Sequence, residues 1–138
     1  MTVTNNQAWE IPNFLVGQLE ANVDMSDEAL WQYVGVNAGA ASGAGLLGPS
    51  ALVAPAAGGV ILGVLQGNPK LAEVGTVMES GISKAKLAAN VTAGALLMVN
   101  GAGKFLPATG GNFAVAQALQ AGSTGAVVSV LVKNFGKQ

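Results

Sequence analysis

The sequence predicts a mainly β chain, a small β-barrel or β-sandwich with an extended N-terminal arm. Three observations carry that expectation. Short apolar segments recur about every eight to twelve residues, Gly- and Pro-containing turns separate them, and the clearest segments alternate with period two. At 138 residues the chain is one domain by length, divided into an arm over residues 1–30 and a β-rich body over 31–138.

The arm is read from its composition. Trp9, Ile11, Phe14, Leu15 and Leu19 are spaced among Asn, Gln and Glu, and are the candidate partner-binding residues. Ile11, Leu15 and Leu19 share a helical face after Pro12, although Gly17 weakens a helix there. Apolar anchors on an acidic tail suit a clamp onto a partner. The alternative, packing of the arm on its own body, stands beside it.

In the body, Gln32, Val34 and Val36 alternate with Trp31, Tyr33 and Gly35 as a strand would. Asn37–Gly48 is a Gly/Ala/Ser run expected to be a loop, and Leu52-Val53-Ala54, closed by Pro55, an edge strand. Gly59–Gln66 is short, β-branched and ended by Gly67-Asn68-Pro69, the pattern of a buried strand. Val74–Ser80 and Ile82–Leu87 follow, with Lys84 and Lys86 on one face. Ala95–Asn100 and Lys104–Pro107 flank Gly101-Ala102-Gly103 as a hairpin. Phe113–Ala121 and Ala126–Val132 form a second hairpin, although the run Ala114–Ala121 is also compatible with helix. In the last strand Ala126, Val128, Val130 and Val132 make one face, and Val127, Ser129 and Leu131 the other.

Composition argues against chemistry. The chain has no His, no Cys and no Arg, so it lacks an imidazole acid–base group, a thiol nucleophile and the usual transition-metal ligands. No catalytic, cofactor-binding or metal-binding residues are expected, and the chain is read as no enzyme. Gly43-Ala44-Gly45-Leu46-Leu47-Gly48 matches a dinucleotide fingerprint in letters, but Pro49 follows where a helix must start. Gly103-Lys104 fails as a phosphate loop because Phe105 follows where Ser or Thr is needed. Asp24, Asp27 and Glu28 lack calcium-loop spacing, and Glu73 and Glu79 have no aromatic cleft around them.

Charge is sparse and uneven. Glu10, Glu20, Asp24, Asp27 and Glu28 precede any base, and all six Lys follow residue 69. Single, scattered Lys do not make a phosphate-tracking patch, so no nucleic-acid partner is expected. Mean hydropathy is positive, at +0.49, and residues 29–69 carry no charge. Pro49, Pro55 and Gly58-Gly59 would break a spanning helix, so no membrane role is expected either. Ala and Gly supply 24 and 20 residues, so many apolar positions contribute only a methyl group, and docking onto partners is expected to add stability.

Several phrases in order resemble the small capsid decoration, or cement, proteins of tailed phages. Gly63-Val64-Leu65-Gln66-Gly67-Asn68-Pro69 resembles that family's G-V-L-Q-x-x-P stretch. Gly81-Ile82-Ser83-Lys84 resembles its G-[IV]-S-K strand, and Val91-Thr92-Ala93-Gly94 its V-x-A-G turn. The closing pair of segments, Ala116–Ala121 and Ala126–Val132, is similar to its final hairpin, and the likeness spans residues 24–133. The sequence departs from the pattern in the long Gly/Ala stretch Asn37–Gly59.

The resemblance implies a structural virion protein, made in the host cytoplasm, that binds the major capsid protein on the outer surface of an icosahedral shell and stabilises it. It implies a homo-oligomer, with a trimer favoured, and no catalytic residues to carry over. Another virion appendage or a host-glycan-binding module is the alternative.

Overall fold

A computed structural model of the chain describes residues 14–19, 32–39, 51–68 and 74–138. Those residues form ten strands and no helix: β1 (Phe14–Leu19), β2 (Gly35–Gly39), β3 (Ala51–Val53), β4 (Gly63–Leu65), β5 (Val74–Met78), β6 (Gly81–Lys86), β7 (Leu96–Val99), β8 (Phe105–Pro107), β9 (Phe113–Ala118) and β10 (Val127–Lys137). The predicted all-β class holds. It is realised twice in one chain.

The first five strands close into a barrel in the order β1-β3-β2-β4-β5, and the last five make a sheet in the order β6-β10-β9-β7-β8. The second sheet curls until its edge strands meet, where Leu87 bridges Phe105 in parallel. That bridge is the key to the architecture. In the first module the parallel pairs are Gln18 with Ala51 and Leu19 with Leu52, and Leu19 follows Phe14 by five residues as Leu87 follows Ile82.

Register repeats throughout. Phe14 faces Met78 as Ile82 faces Leu131, and Gln18 faces Val74 as Lys86 faces Val127. Gly35 faces Val64 as Leu96 faces Gln117, and Ala38 faces Leu52 as Val99 faces Phe105. Loop bonds repeat as well. Gly59 N donates to Ala56 O at 3.0 Å, and Asn112 N to Thr109 O at 3.2 Å. Tyr33 N donates to Leu65 O at 2.8 Å, and Gly94 N to Ala118 O at 2.7 Å. Both Tyr33 (φ 64°) and Gly94 (φ 86°) are left-handed, as are Gly58 (φ 68°) and Gly111 (φ 87°). The body is therefore a tandem repeat of one five-stranded topology.

Each module buries its own apolar cluster. Val34, Val36, Leu52, Leu65 and Val77 fill the first; Ala85, Leu87, Leu97, Val99, Phe105, Ala116, Val128 and Val130 belong to the second. Period-two alternation explains the sorting along β10, where Val128, Val130 and Val132 are buried while Val127 is exposed. The predicted faces of this strand are the observed ones. Ala114, Ala116 and Ala118 sit in strand β9, so sheet pairing on both sides overrides the helix preference of alanine.

The modules are joined by direct insertion. Residues 33–35 lie across the seam of the second module: Lys86 N donates to Tyr33 O at 2.9 Å, and Gly35 N donates to Gly103 O at 2.8 Å. Gly58 N donates to Val99 O at 2.8 Å, and Gly58 O accepts from Phe113 N at 2.9 Å. Val64, on the face of β4 opposite Leu65, is fully buried in the second cluster, with Tyr33 and Ile61 packed beside it. Tyr33 is the one non-glycine residue with positive φ among those described, a conformation unfavourable for a bulky residue. Its carbonyl bond to β6 and its ring packing hold it there.

Several expectations need correction. Leu52-Val53-Ala54 was expected at an edge, but β3 is paired on both sides, antiparallel to β2 and parallel to β1. The expected loop at Asn37–Gly48 begins too early, since β2 runs to Gly39. The strand expected over Gly59–Gln66 shrinks to Gly63–Leu65, because Gly58 turns the chain and Gly59 bonds back to Ala56. Phe14, Leu15 and Leu19, placed in an arm, lie in β1, which pairs with β3 and β5 and closes the first barrel. Trp9 and Ile11 lie outside the described residues, as do residues 40–50 of the Gly/Ala stretch.

Candidate interaction surface

Among the described residues, no three acids or other ligating side chains stand together as a metal group, and no helix is long and apolar enough to cross a membrane. Glu79, on the turn between β5 and β6, is the only acid described. What the described surface offers is a face for contact.

That face is the outer side of β6, β10 and β9. Along β6, Ser83 and Ala85 point inward and are buried, which sends Ile82, Lys84 and Lys86 outward. Register places Ile82 beside Leu131 and Leu131 beside Gln117; Lys84 lies beside Ser129, and Lys86 beside Val127. Leu119 N donates to Ser129 O at 2.9 Å, which puts Leu119 in the Lys84 row. Ile82 is 68% exposed, Leu119 45% and Val127 43%; of the large exposed apolar residues described, only Val60, at 42%, lies elsewhere. Scattered exposed apolar residues are ordinary; here register sets several on one sheet face, interleaved with Lys84, Ser129 and Gln117, which makes that face the candidate for contact.

The charge on this face has one sign. Lys84 and Lys86 stand on β6, and Lys133 continues the outward row of β10 beyond Leu131. Lys84 Nζ lies 5.7 Å from the centroid of the Tyr33 ring, and Lys133 Nζ 5.7 Å from that of Phe135. Stacking over a ring restrains a long side chain and leaves its charge outward. The arrangement suits a partner surface that is apolar and acidic.

Of the candidate residues named from sequence, the structure gathers Phe14, Leu15 and Leu19 into one strand. The face around Ile82 was not singled out. A signal for it existed, because Ile82 alternates in phase with Lys84 and Lys86 and must share their side of any strand. Leu119 carried no such signal, since its place depends on how β9 pairs with β10.

No protein-family model matches the chain, and no curated protein matches it in sequence. In structure it is similar to the base of the head fiber protein gp8.5 of bacteriophage phi29. The TM-score is 0.66 at 11% identity, over 87% of this chain and 92% of that chain. Coverage of that extent spans both modules, so the likeness is to the whole two-module fold.

Proposed function

We propose that the chain is a non-enzymatic structural protein of a phage virion, a decoration or cement protein that binds the outer surface of an icosahedral capsid and stabilises it. The observation that carries this reading is the two-module fold, shared over nearly its full length with the base of a phage head fiber. The contact face supports it. Ile82, Leu119, Val127 and Leu131, framed by Lys84 and Lys133, are the residues that meet the major capsid protein, opposite an apolar patch carrying Asp or Glu. Copies assemble as a homotrimer, and symmetric repetition turns modest single contacts into firm attachment through avidity.

Co-sedimentation with expanded heads of the cognate phage, assembled without this protein, tests the reading. Saturable binding at a fixed copy number per shell subunit is the expected result, with the shells surviving higher temperatures once coated. Ile82→Asp is expected to weaken binding at least about tenfold, or about 1.4 kcal/mol, while leaving the fold intact because the side chain is on the surface. Wild-type protein that never pellets with heads would contradict the proposal. The same comparison favours a second reading, the base of a longer virion appendage. Binding that saturates without raising the temperature the shells survive would favour that reading over the cement role.

A further inference from the structure

Tyr33 carries a strain that its counterpart avoids. The repeat demands a left-handed residue at this point, and the second module meets the demand with Gly94, at φ 86°. Both residues donate their amide to the equivalent carbonyl, Tyr33 N to Leu65 O and Gly94 N to Ala118 O. Glycine takes that conformation freely, whereas tyrosine takes it only under strain. A strained residue kept where the repeat itself shows glycine to suffice points to a task for its side chain.

The neighbours of the ring define that task. Tyr33 is half-buried and packs against the second module's cluster, and its carbonyl accepts from Lys86 N at 2.9 Å. Bonded backbone and packed side chain together make the ring a rigid platform. Lys84 Nζ lies over it, 5.7 Å from the centroid. Lys84 belongs to the second module and stands on the contact face, in the row of Ser129 and Leu119. The first module thus supports a charge that the second module presents. Leucine would serve for packing alone, but holding an ammonium group needs the negative face of an aromatic ring. An unsupported lysine loses rotamer freedom when a partner fixes it, and a supported one has given up part of that freedom beforehand. Lys133 over Phe135, also at 5.7 Å, repeats the device on the same face.

We infer that Tyr33 is a positioning residue of the contact face: its ring holds the Lys84 ammonium in place to receive a carboxylate of the partner. The face is thereby built by both modules, and opening the junction removes the support of Lys84. This role rests on the capsid reading of the face, and it assigns recognition of an Asp or Glu side chain there to Lys84 and Tyr33 acting together.

Two measurements test it. By NMR of the free protein, the side-chain protons of Lys84 are expected to show a ring-current shift in the unchanged chain and in Tyr33→Phe. In Tyr33→Leu, which keeps an apolar side chain on the same backbone, that shift is expected to vanish. Unshifted protons in the unchanged chain would overturn the inference. The second measurement is co-sedimentation with expanded heads, as a double-mutant cycle over Tyr33→Leu and Lys84→Met. Tyr33→Leu is expected to weaken binding at low salt by about three- to fivefold, the size of an exposed cation–π contact, and Tyr33→Phe to leave it unchanged. In the Lys84→Met background, a surface change that leaves folding intact, Tyr33→Leu is expected to weaken binding no further. An equal loss with and without Lys84 would overturn the inference, because Tyr33 would then act through the fold alone. So would the absence of any loss. The two failures separate: unchanged protein that never pellets with heads refutes the capsid reading and this role with it, whereas binding without coupling refutes the positioning role alone.

Discussion

Valine at Gly103 is expected to destabilise the protein by about 3–5 kcal/mol, through left-handed strain combined with a steric clash. Gly103 sits at φ 76°, where a β-branched residue is strained in any surroundings. A Cβ there would lie 2.2 Å from the carbonyl oxygen of Gly35, and that neighbour is backbone, with no rotamer to yield. The clash falls on the bond between Gly35 N and Gly103 O, so relief requires the first module to withdraw from the seam of the second. Gly101, in the same hairpin, is the control. A Cβ there meets nothing within 4 Å, so Gly101→Val is expected within about 0.5 kcal/mol of the unchanged protein. Urea unfolding checks both, with the midpoint falling sharply for Gly103→Val alone. Equal midpoints would mean that the junction contributes little to stability.

Val130→Asp is expected to cost more than about 4 kcal/mol and to leave little folded protein, because a carboxylate would be buried without a partner. Val130 is fully buried between Ser83 on β6 and Ala118 on β9, in the second cluster. Val127, three residues earlier on the opposite face of the strand, is 43% exposed, and Val127→Asp is expected to fold normally. Circular dichroism and thermal melting distinguish the two. A well-folded Val130→Asp protein would contradict the burial pattern of β10.

Those strand faces were legible in the sequence because β10 obeys a local rule: period-two alternation of Val with small or polar residues shows which side is buried. The two hairpins were legible for the same reason, each being announced by Gly between apolar runs. The duplication was harder to see. Leu19-Glu20-Ala21-Asn22-Val23 and Leu87-Ala88-Ala89-Asn90-Val91 echo each other, but farther along it is inward counterparts such as Val36 and Leu97 that retain burial, with few identities. Leu52 answers Phe105, and Gly63 answers Ala116. Barrel closure asks only that inward positions be apolar and of compatible volume, so the register outlasts the letters.

β1 escaped for a different reason. Gly17 and Gln18 dilute its apolar pattern, and the strand is specified by partners far along the chain, β3 and β5. The contact face was half legible. Ile82 with Lys84 and Lys86 follows from alternation, whereas Leu119 and Val127 join it only through the pairing of three strands.

Electron cryomicroscopy of cognate expanded heads with and without the protein tests the central claim most directly. The account predicts added density on the outer surface at symmetry-related positions, each copy showing two lobes of barrel size, with β6, β10 and β9 facing the shell. Heads that gain no density at saturating protein, or gain it on the inner surface, would contradict it.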